Sequence, residues 1–508
     1  MPLTFSEAID DPVVFSASTD FRGGMNSTVL PHLLPDNQYA EAKNMELTMT
    51  GRLQTRPGYE VEGSMATSSA VRNLVWYDLV GSELVVATQD NELKKWDGST
   101  FTTVSGFGMT GQLSAFQFFN KVLYVGQSTL KDFDGTNITT PSLTGTSAGN
   151  IACAHANRVV RAGDSSNPER LYVSDAGAGG YTTWNGWSGS IDVGAEGEII
   201  TGLKSWDVNN LLVFKSHSTY LAVTTGPTGT MTTAADWTIQ SVSSVVGCVA
   251  HETAVQVGTD IWWLSKQGVV SVRRLRQETQ REIVNSLSAP IQSYIDRINW
   301  QQVHKATAVY HDNKYILSVP LDSATEPDHM LVFDTYHQTW AAYWTGLDAA
   351  SAVVGYFDEI PTLYLGSSDG ELRKMDEDLK TDDGNDLASH AYLKAFSFNE
   401  PVSPKALLNV ELEFQDSTAT ADLNLRLDGS TNDVLELDDF ATGNSLLTFP
   451  WTFPVTFVEP GLYRKAISLL HHRRVRQVQP RLSATAERLS LRSIILSGFV
   501  ETTMIETP

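Results

Sequence analysis

Several groups of residues in this 508-residue chain have types and spacings that could support chemistry. The adjacent pair His471-His472 suggests a metal. Neighbours on a strand point to opposite faces, however, so the pair is read as unable to share one ion. The acidic runs "DEDLKTDDGND" (376–386) and "DGSTNDVLELDD" (428–439) offer oxygen ligands for calcium. Neither has the D-x-[DN]-x-[DN]-G spacing with its closing Glu, so solvated turns are expected. Glycoside hydrolysis needs two carboxylates facing each other across a pocket. With 59 acidic residues the chain has too many candidates to single out two. "SDAGAGGYTTW" (174–184) only echoes the S-x-D-x-G-x-T-W box of sialidases. No H-E-x-x-H and no G-x-x-x-x-G-K-[ST] occurs, which removes zinc-protease and P-loop readings. No catalytic residue, metal or cofactor is assigned, and the chain reads as a non-enzyme.

Two sets remain. Trp76, Trp96, Trp184, Trp187, Trp262, Trp263, Trp340 and Trp344 could stack on sugars, but their alternating strands favour packing between sheets. The basic runs "VRRLRQETQR" (272–281) and "HHRRVRQVQPR" (471–481) place Arg273, Arg274 and Arg276, then Arg473, Arg474 and Arg476, on or beside strands. They read as a solvated or interface face that could dock an acidic neighbour. DNA contact is disfavoured because no aromatic residues are interleaved with the arginines.

The elements that hold these residues announce themselves by repetition. "LKKWDGSTFTT" (93–103) returns as "LKDFDGTNITT" (130–140), and "LVVATQDNELKKWD" (84–97) aligns without a gap on "LYLGSSDGELRKMD" (363–376). An apolar residue ends a strand, Asp-Gly turns the chain, and a β-branched strand follows. Asp-Gly tolerates the positive φ of tight primed turns. Short alternating strands recur at a period near 40, the signature of propeller blades. Residues 70–387 would hold six or seven. "SLSAPIQSYIDRINW" interrupts as a helix, with Ser288 as N-cap and Ile291, Ile295 and Ile298 on one face.

Beyond residue 388 strict alternation sets in. Val410, Leu412 and Phe414 share one face, and Leu423, Leu425 and Leu427 share the next. This predicts a separate antiparallel β-sandwich over 388–508. Residues 1–69 form an irregular arm, with a Gly-Gly turn, a short helix after Asp36 and an Arg-Pro-Gly turn. The arm is too poor in apolar residues to fold alone and is expected to add strands to another domain or subunit. The expected class is all-β.

Bulk properties exclude other classes. The net charge of −23 argues against wrapping nucleic acid, which takes clustered Lys and Arg. An acidic wall could still let a duplex slide past. No apolar run is long enough for a membrane helix and the start has no secretory pattern, so no membrane insertion is expected. Cys153 and Cys248 read as two small buried apolar residues.

The stretch "FRGGMN … LPDNQYAEAKNMELTMTGRLQTRPGYE" (21–60) resembles the start of β-propeller tail proteins of tailed bacteriophages. "DIWWLSKQGVVSVR" (260–273), "NSLSAPIQSYI", "YHDNKYILSVP" and "HMLVFDTYHQTWAAYW" (329–344) then follow in an order similar to the tail nozzle and tail-stabilisation proteins of short-tailed phages. The resemblance implies a virion tail protein made in the host cytoplasm. It implies a sixfold ring beneath the portal and its adaptor, the head-tail connector, that closes the head and later conducts DNA. Implied partners are further copies of the chain, the adaptor, tail fibre, spike or needle proteins, and genomic DNA passing without specific binding. No catalytic residue comes with the resemblance, and gate or lumen residues have no motif to carry over. Two other readings stay open: a carbohydrate-binding or carbohydrate-cleaving propeller acting as a receptor-binding tail component, and a generic cellular scaffold propeller.

Overall fold

The computed structural model describes residues 13–500 apart from 79–82, 89, 146, 185–190, 195, 225–236, 279–285, 400, 444–461 and 486. The chain divides into two units. One comprises Tyr59–Val332 and Thr345–Asp376; the other comprises Met1–Gly58, Phe333–Trp344 and Glu377–Pro508.

The first unit is a seven-bladed β-propeller. Blade 1 runs Val71–Tyr77, Glu83–Thr88, Leu93–Trp96, Phe101–Val104, and blade 2 runs Ser114–Phe118, Lys121–Val125, Leu130–Phe133, Ile138–Thr139. Blade 3 (Ile151–His155, Arg158–Ala162, Arg170–Val173, Ile191–Asp192) and blade 4 (Ile200–Ser205, Asn210–Lys215, Thr219–Thr224, Trp237–Ser243) repeat the meander. Among the described residues blade 5 has three strands, Val255–Val257, Asp260–Ser265 and Gly268–Ser271. Blade 6 opens with Thr307–His311 and Lys314–Val319, and blade 7 runs Ala349–Gly355, Thr362–Ser367, Glu371–Asp376. The first strands adjoin in ring order, blade 4 meeting blade 5 through the 3-10 turn His251–Thr253, and blade 7 meets blade 1. There Ser351 Oγ donates to the Val71 carbonyl at 2.6 Å.

The sequence places the propeller at 70–387, whereas the structure begins it at Tyr59 and ends it at Asp376. The early start has a cause. Residues 59–64 of the strand Gly58–Ser64 lie beside Glu371–Asp376, so chain from before blade 1 completes blade 7. The Met65 N–H donates to the Gly370 carbonyl at 2.7 Å.

The repeated motif is one turn made twice. Asp97 Oδ1 accepts the N–H groups of Ser99 (2.9 Å) and Thr100 (2.6 Å). Asp134 Oδ1 accepts those of Thr136 (2.9 Å) and Asn137 (2.7 Å). Gly98 and Gly135 both sit at φ 94°, which a side chain would resist. Trp96 pairs with Phe101 and Phe133 with Ile138, so these are four-residue loops rather than two-residue primed turns. Asp312-Asn313 does make the two-residue form, at φ 44° and 57° between the paired His311 and Lys314. The third copy shares its own constraint: the aligned Asn91 and Gly370 have φ 75° and 96°.

The propeller core is divided among blade interfaces. Tyr77, Leu93, Val122 and Phe133 fill the space between blades 1 and 2. Leu123, Val159, Tyr172 and Trp184 do so between blades 2 and 3. Phe214, Val246, Trp263 and Val270 do so between blades 4 and 5. The interrupting helix is shorter than the sequence suggests: a 3-10 turn Ala289–Ile291 leads into α-helix Gln292–Ile295. Ile291, Ile295 and Ile298 are buried as expected. Ser288 makes no cap, because its hydroxyl accepts the Val269 N–H at 3.0 Å.

The second unit packs two sheets. One orders Leu462–Ser468, Lys405–Gln415, Ser490–Val500, Leu53–Thr55 and Met45–Leu47, with Val13–Ser18 also paired to Ser490–Val500. The other contains Glu41–Lys43, Ser389–Tyr392, Val478–Ala484, Thr420–Leu427 and Val434–Ala441 in that order. Val410, Leu412, Phe414, Leu423 and Leu425 are buried, and Phe414 meets Phe440 across the sheets at 6.1 Å between ring centroids. Leu427 is only partly buried. The N-terminal arm thus supplies strands to both sheets. Asp36 starts no helix; the chain continues into the short strand Gln38–Tyr39, after a 3-10 turn at Pro31–Leu33.

Candidate functional site

The first strands of the propeller converge on an axis whose two ends differ. At their N-terminal ends, Arg72, Leu113, Glu252, Lys305, Ala306 and Ala350 surround a cavity of about 120 Å³. Arg72 of blade 1 pairs with Glu326, which follows blade 6 strand Lys314–Val319. Lys305 Nζ donates to Glu326 Oε1 at 2.6 Å and to the Thr325 carbonyl at 2.7 Å. Gln112 Nε2 reaches the His304 carbonyl at 3.0 Å, bridging the approaches to blades 2 and 6. Blades 1 and 6 are not neighbours, nor are 2 and 6, so these bonds tie the axis shut. Burial pulls the Arg72 pKa down, and Glu326 opposes that.

At the C-terminal ends, blades 2, 3 and 4 leave a groove of about 420 Å³ lined by Phe118, Phe119, His155, Asn157, Asp207 and Val208 among others. Phe119 and Val208 are 45% and 56% exposed. His155 is buried; its Nδ1 meets Ser205 Oγ at 2.9 Å and its ring meets Trp237 at 5.8 Å. Burial lowers its pKa to about 4, against a smaller opposing pull from Asp207.

Both arginine groups lie beside strands rather than on them. Val272–Glu278 is an α-helix that follows blade 5 directly. Val272 and Leu275 turn inward at the i, i+3 spacing, leaving Arg273 and Arg274 exposed. Arg273 Nη2 donates to Thr259 Oγ1 at 2.9 Å, and its N–H to Asp260 Oδ1 at 3.1 Å. Arg276 lies on the same helix, while 279–281 fall outside the described residues. Arg473, Arg474 and Arg476 are exposed on a loop of the second unit. That loop is pinned by its backbone: the N–H groups of Arg476 and Gln477 donate to Asp428 Oδ1 at 2.6 and 3.1 Å, and Val475 exchanges both backbone bonds with Lys405.

The tryptophans form no sugar platform among the described residues. Trp96, Trp184, Trp262 and Trp263 are buried, Trp76 is half-buried against Tyr356 and Phe357, and Trp187 lies outside the described residues. Trp340 and Trp344 are buried too, but in the second unit rather than between blades. Gly145–Gly149 has the G-x-S-x-G spacing of a serine-hydrolase elbow. It lies in a loop ahead of blade 3, not between a strand and a helix, and Ser147 Oγ accepts the Arg161 guanidinium at 3.0 Å. The elbow needs a strand-to-helix turn, so the spacing is not that motif here. The acidic runs are partly engaged rather than merely solvated: Asp382 takes both Arg56 nitrogens (2.9 and 2.6 Å) and Asp433 takes Arg426 and Arg481. Cys248 is buried as expected, its thiol pushed up to about 12 by burial, while Cys153 is only partly buried.

Two of the stretches that carry the phage-tail resemblance, the first and the last, meet in the second unit. Thr339 Oγ1 donates to the Gly23 carbonyl (2.8 Å), Tyr39 OH to that of Ala341 (2.6 Å) and Trp344 Nε1 to that of Met45 (2.7 Å). Gly24, at φ 72°, leaves no room for a Cβ, which would lie 2.1 Å from Thr339 Oγ1.

No family model and no curated protein matches this chain. Solved structures similar to it include BamB from Moraxella catarrhalis (14% identity, 65% of this chain and 90% of that one, TM-score 0.39). "YCF48 bound to D1 peptide" is 11% identical over 63% of this chain and 99% of that one, with a TM-score of 0.39. "BBS1N in complex with ARL6DN" is 12% identical over 63% and 97%, with a TM-score of 0.40. At these scores they carry no argument about this chain; the fold rests on its own strand order. No helix among the described residues is long and apolar enough to cross a membrane.

Proposed function

We propose that this chain is a structural, non-enzymatic component of a phage tail: a nozzle subunit that assembles as a ring below the adaptor and lines a passage for DNA. The observation that carries the reading is the union of residues 21–47 with 339–344. These segments belong to the first and last of the stretches that bear the resemblance and lie some 300 residues apart in sequence, yet they are joined by side-chain bonds in one unit. The closed axis supports a further detail. A duplex cannot thread a propeller tied by Arg72, Glu326 and Gln112, so the passage lies among copies. The charge of −23 per copy suits a wall that repels phosphate. Arg273 and Arg274, and the pinned Arg473, Arg474 and Arg476, are the surfaces assigned to docking acidic neighbours.

The test is cryo-electron microscopy of particles carrying the protein. A sixfold ring on the tail axis is expected. Peripheral copies off the axis would replace this reading with a receptor-binding propeller, and absence from particles would remove it.

A further inference from the structure

Beyond that role, and independent of it, the second unit holds a cluster with the chemistry of a metal site. Glu436 lies on the strand Val434–Ala441, and its side chain is 1% exposed. Its two carboxylate oxygens face two imidazoles. His472 Nε2 is 2.5 Å from Oε1, and His471 Nε2 is 2.9 Å from Oε2. The rings lie 4.1 Å apart at 43°. The expectation that adjacent histidines face apart fails because they are not on a strand. They close a turn after Leu462–Ser468, in which the His472 N–H donates to the Leu469 carbonyl at 2.9 Å. That turn is itself fixed to Lys405–Gln415: the Leu469 N–H donates to the Leu408 carbonyl (2.8 Å) and the Leu407 N–H to that of His472 (2.9 Å).

We infer that Glu436, His471 and His472 bind a divalent transition-metal ion, zinc being the best match. One ligand atom from each lies within 4.8 Å of the other two. Two imidazoles and a carboxylate are a borderline donor set, suited to Zn²⁺ and its neighbours and unlike the all-oxygen shells of Ca²⁺ or Mg²⁺. Tetrahedral ligands at ~2.0–2.1 Å from zinc stand about 3.3 Å from one another, so on binding both imidazoles must draw back from the carboxylate that they now meet at 2.5 and 2.9 Å. His471 is 62% exposed, so the remaining coordination positions face water. Glu436 belongs to one sheet of the unit, and the histidine turn follows a strand of the other. The ion is therefore a clip between the two sheets. Both imidazoles must offer Nε2 lone pairs, so protons compete with the ion for these ligands and affinity falls in acid.

The experiment uses the full-length chain, stripped with a chelator and titrated with ZnCl₂ by calorimetry at pH 7.5 and pH 5.5. One saturable equivalent is expected at pH 7.5, with weaker binding at pH 5.5 and a raised melting temperature on loading. Glu436→Gln and His472→Gln are expected to abolish that equivalent. His471→Ala, at an exposed position where folding is not at stake, is expected to weaken it by more than the ~10–100-fold typical of losing an outer partner. Cobalt substitution should give ligand-field bands lost in the same variants. Failure of the native chain to bind one equivalent, or unchanged affinity in His471→Ala, overturns the inference.

Discussion

At one end of the propeller axis Arg72, Glu326, Lys305 and Gln112 join blades that are not neighbours; at the other, Phe119, His155 and Val208 border a groove. The same first strands make both ends, so strand geometry does not decide the difference. What decides it is the chain that enters or leaves each strand. The closed end receives long approach segments carrying charge, such as 320–328 and 299–306. The open end has short hairpins whose tips sit at positive φ, as at Phe119 (49°), Ala156 (48°) and Asn157 (59°). A short hairpin has no reach across an axis. The contrast predicts that the closed end rests on ion pairs, and the open end on a buried neutral histidine under a dispensable rim.

The largest effect should come from what both ends share. Trp263 is fully buried between blades 4 and 5, 4.8 Å from Phe214 and bonded through Nε1 to the Gly247 carbonyl at 3.0 Å. Trp263→Ala should cost about 3–5 kcal/mol in urea unfolding. A loss below ~1 kcal/mol would mean that the interblade core does not carry the ring.

Next comes pH at the open end. His155 has a pKa near 4 in the fold and about 6.5 in an unfolded chain. Its neutral form stabilises the fold fully above about pH 6.5. That contribution is lost as pH falls toward 4, because only the unfolded chain takes up the proton. Between pH 7 and 4.5 the loss should be about 2–3 kcal/mol. His155→Gln should flatten the urea-midpoint profile over that window; an unchanged slope in the variant would assign the acid sensitivity elsewhere.

At the closed end, Arg72→Ala leaves Glu326 with Lys305 and should cost about 1–3 kcal/mol. The smallest effect is expected at the rim. Phe119→Ser should stay within about 0.5 kcal/mol. If the two variants cost the same, the ends are not the opposites described above.

The local parts of the fold were legible in the sequence. "WDGST" and "FDGTN" form the same loop because Asp and Gly act within four residues, and alternation of Val410, Leu412 and Phe414 fixes a buried face by itself. The resemblance-bearing motifs could be read, but not their union. The arginine helix at 272–278 follows a β-branched run and was masked by it, although Val272 and Leu275 carry the i, i+3 signal. The histidine pair was legible as a pair and misplaced as geometry, because the bonds that make its turn come from Leu407 and Leu408 on a strand far earlier in the chain.

The sequence by itself therefore determined the strand-turn repeat, the acidic charge and the alternation of the second unit. Each is set by interactions within a few residues or by composition. Only the tertiary structure decided that residues 59–64 complete blade 7, that Arg72 meets Glu326 across 254 residues, and that Glu436 meets His471 and His472. Those contacts join segments distant along the chain, and no local propensity encodes where the ends of a closed ring or the edges of two stacked sheets will meet.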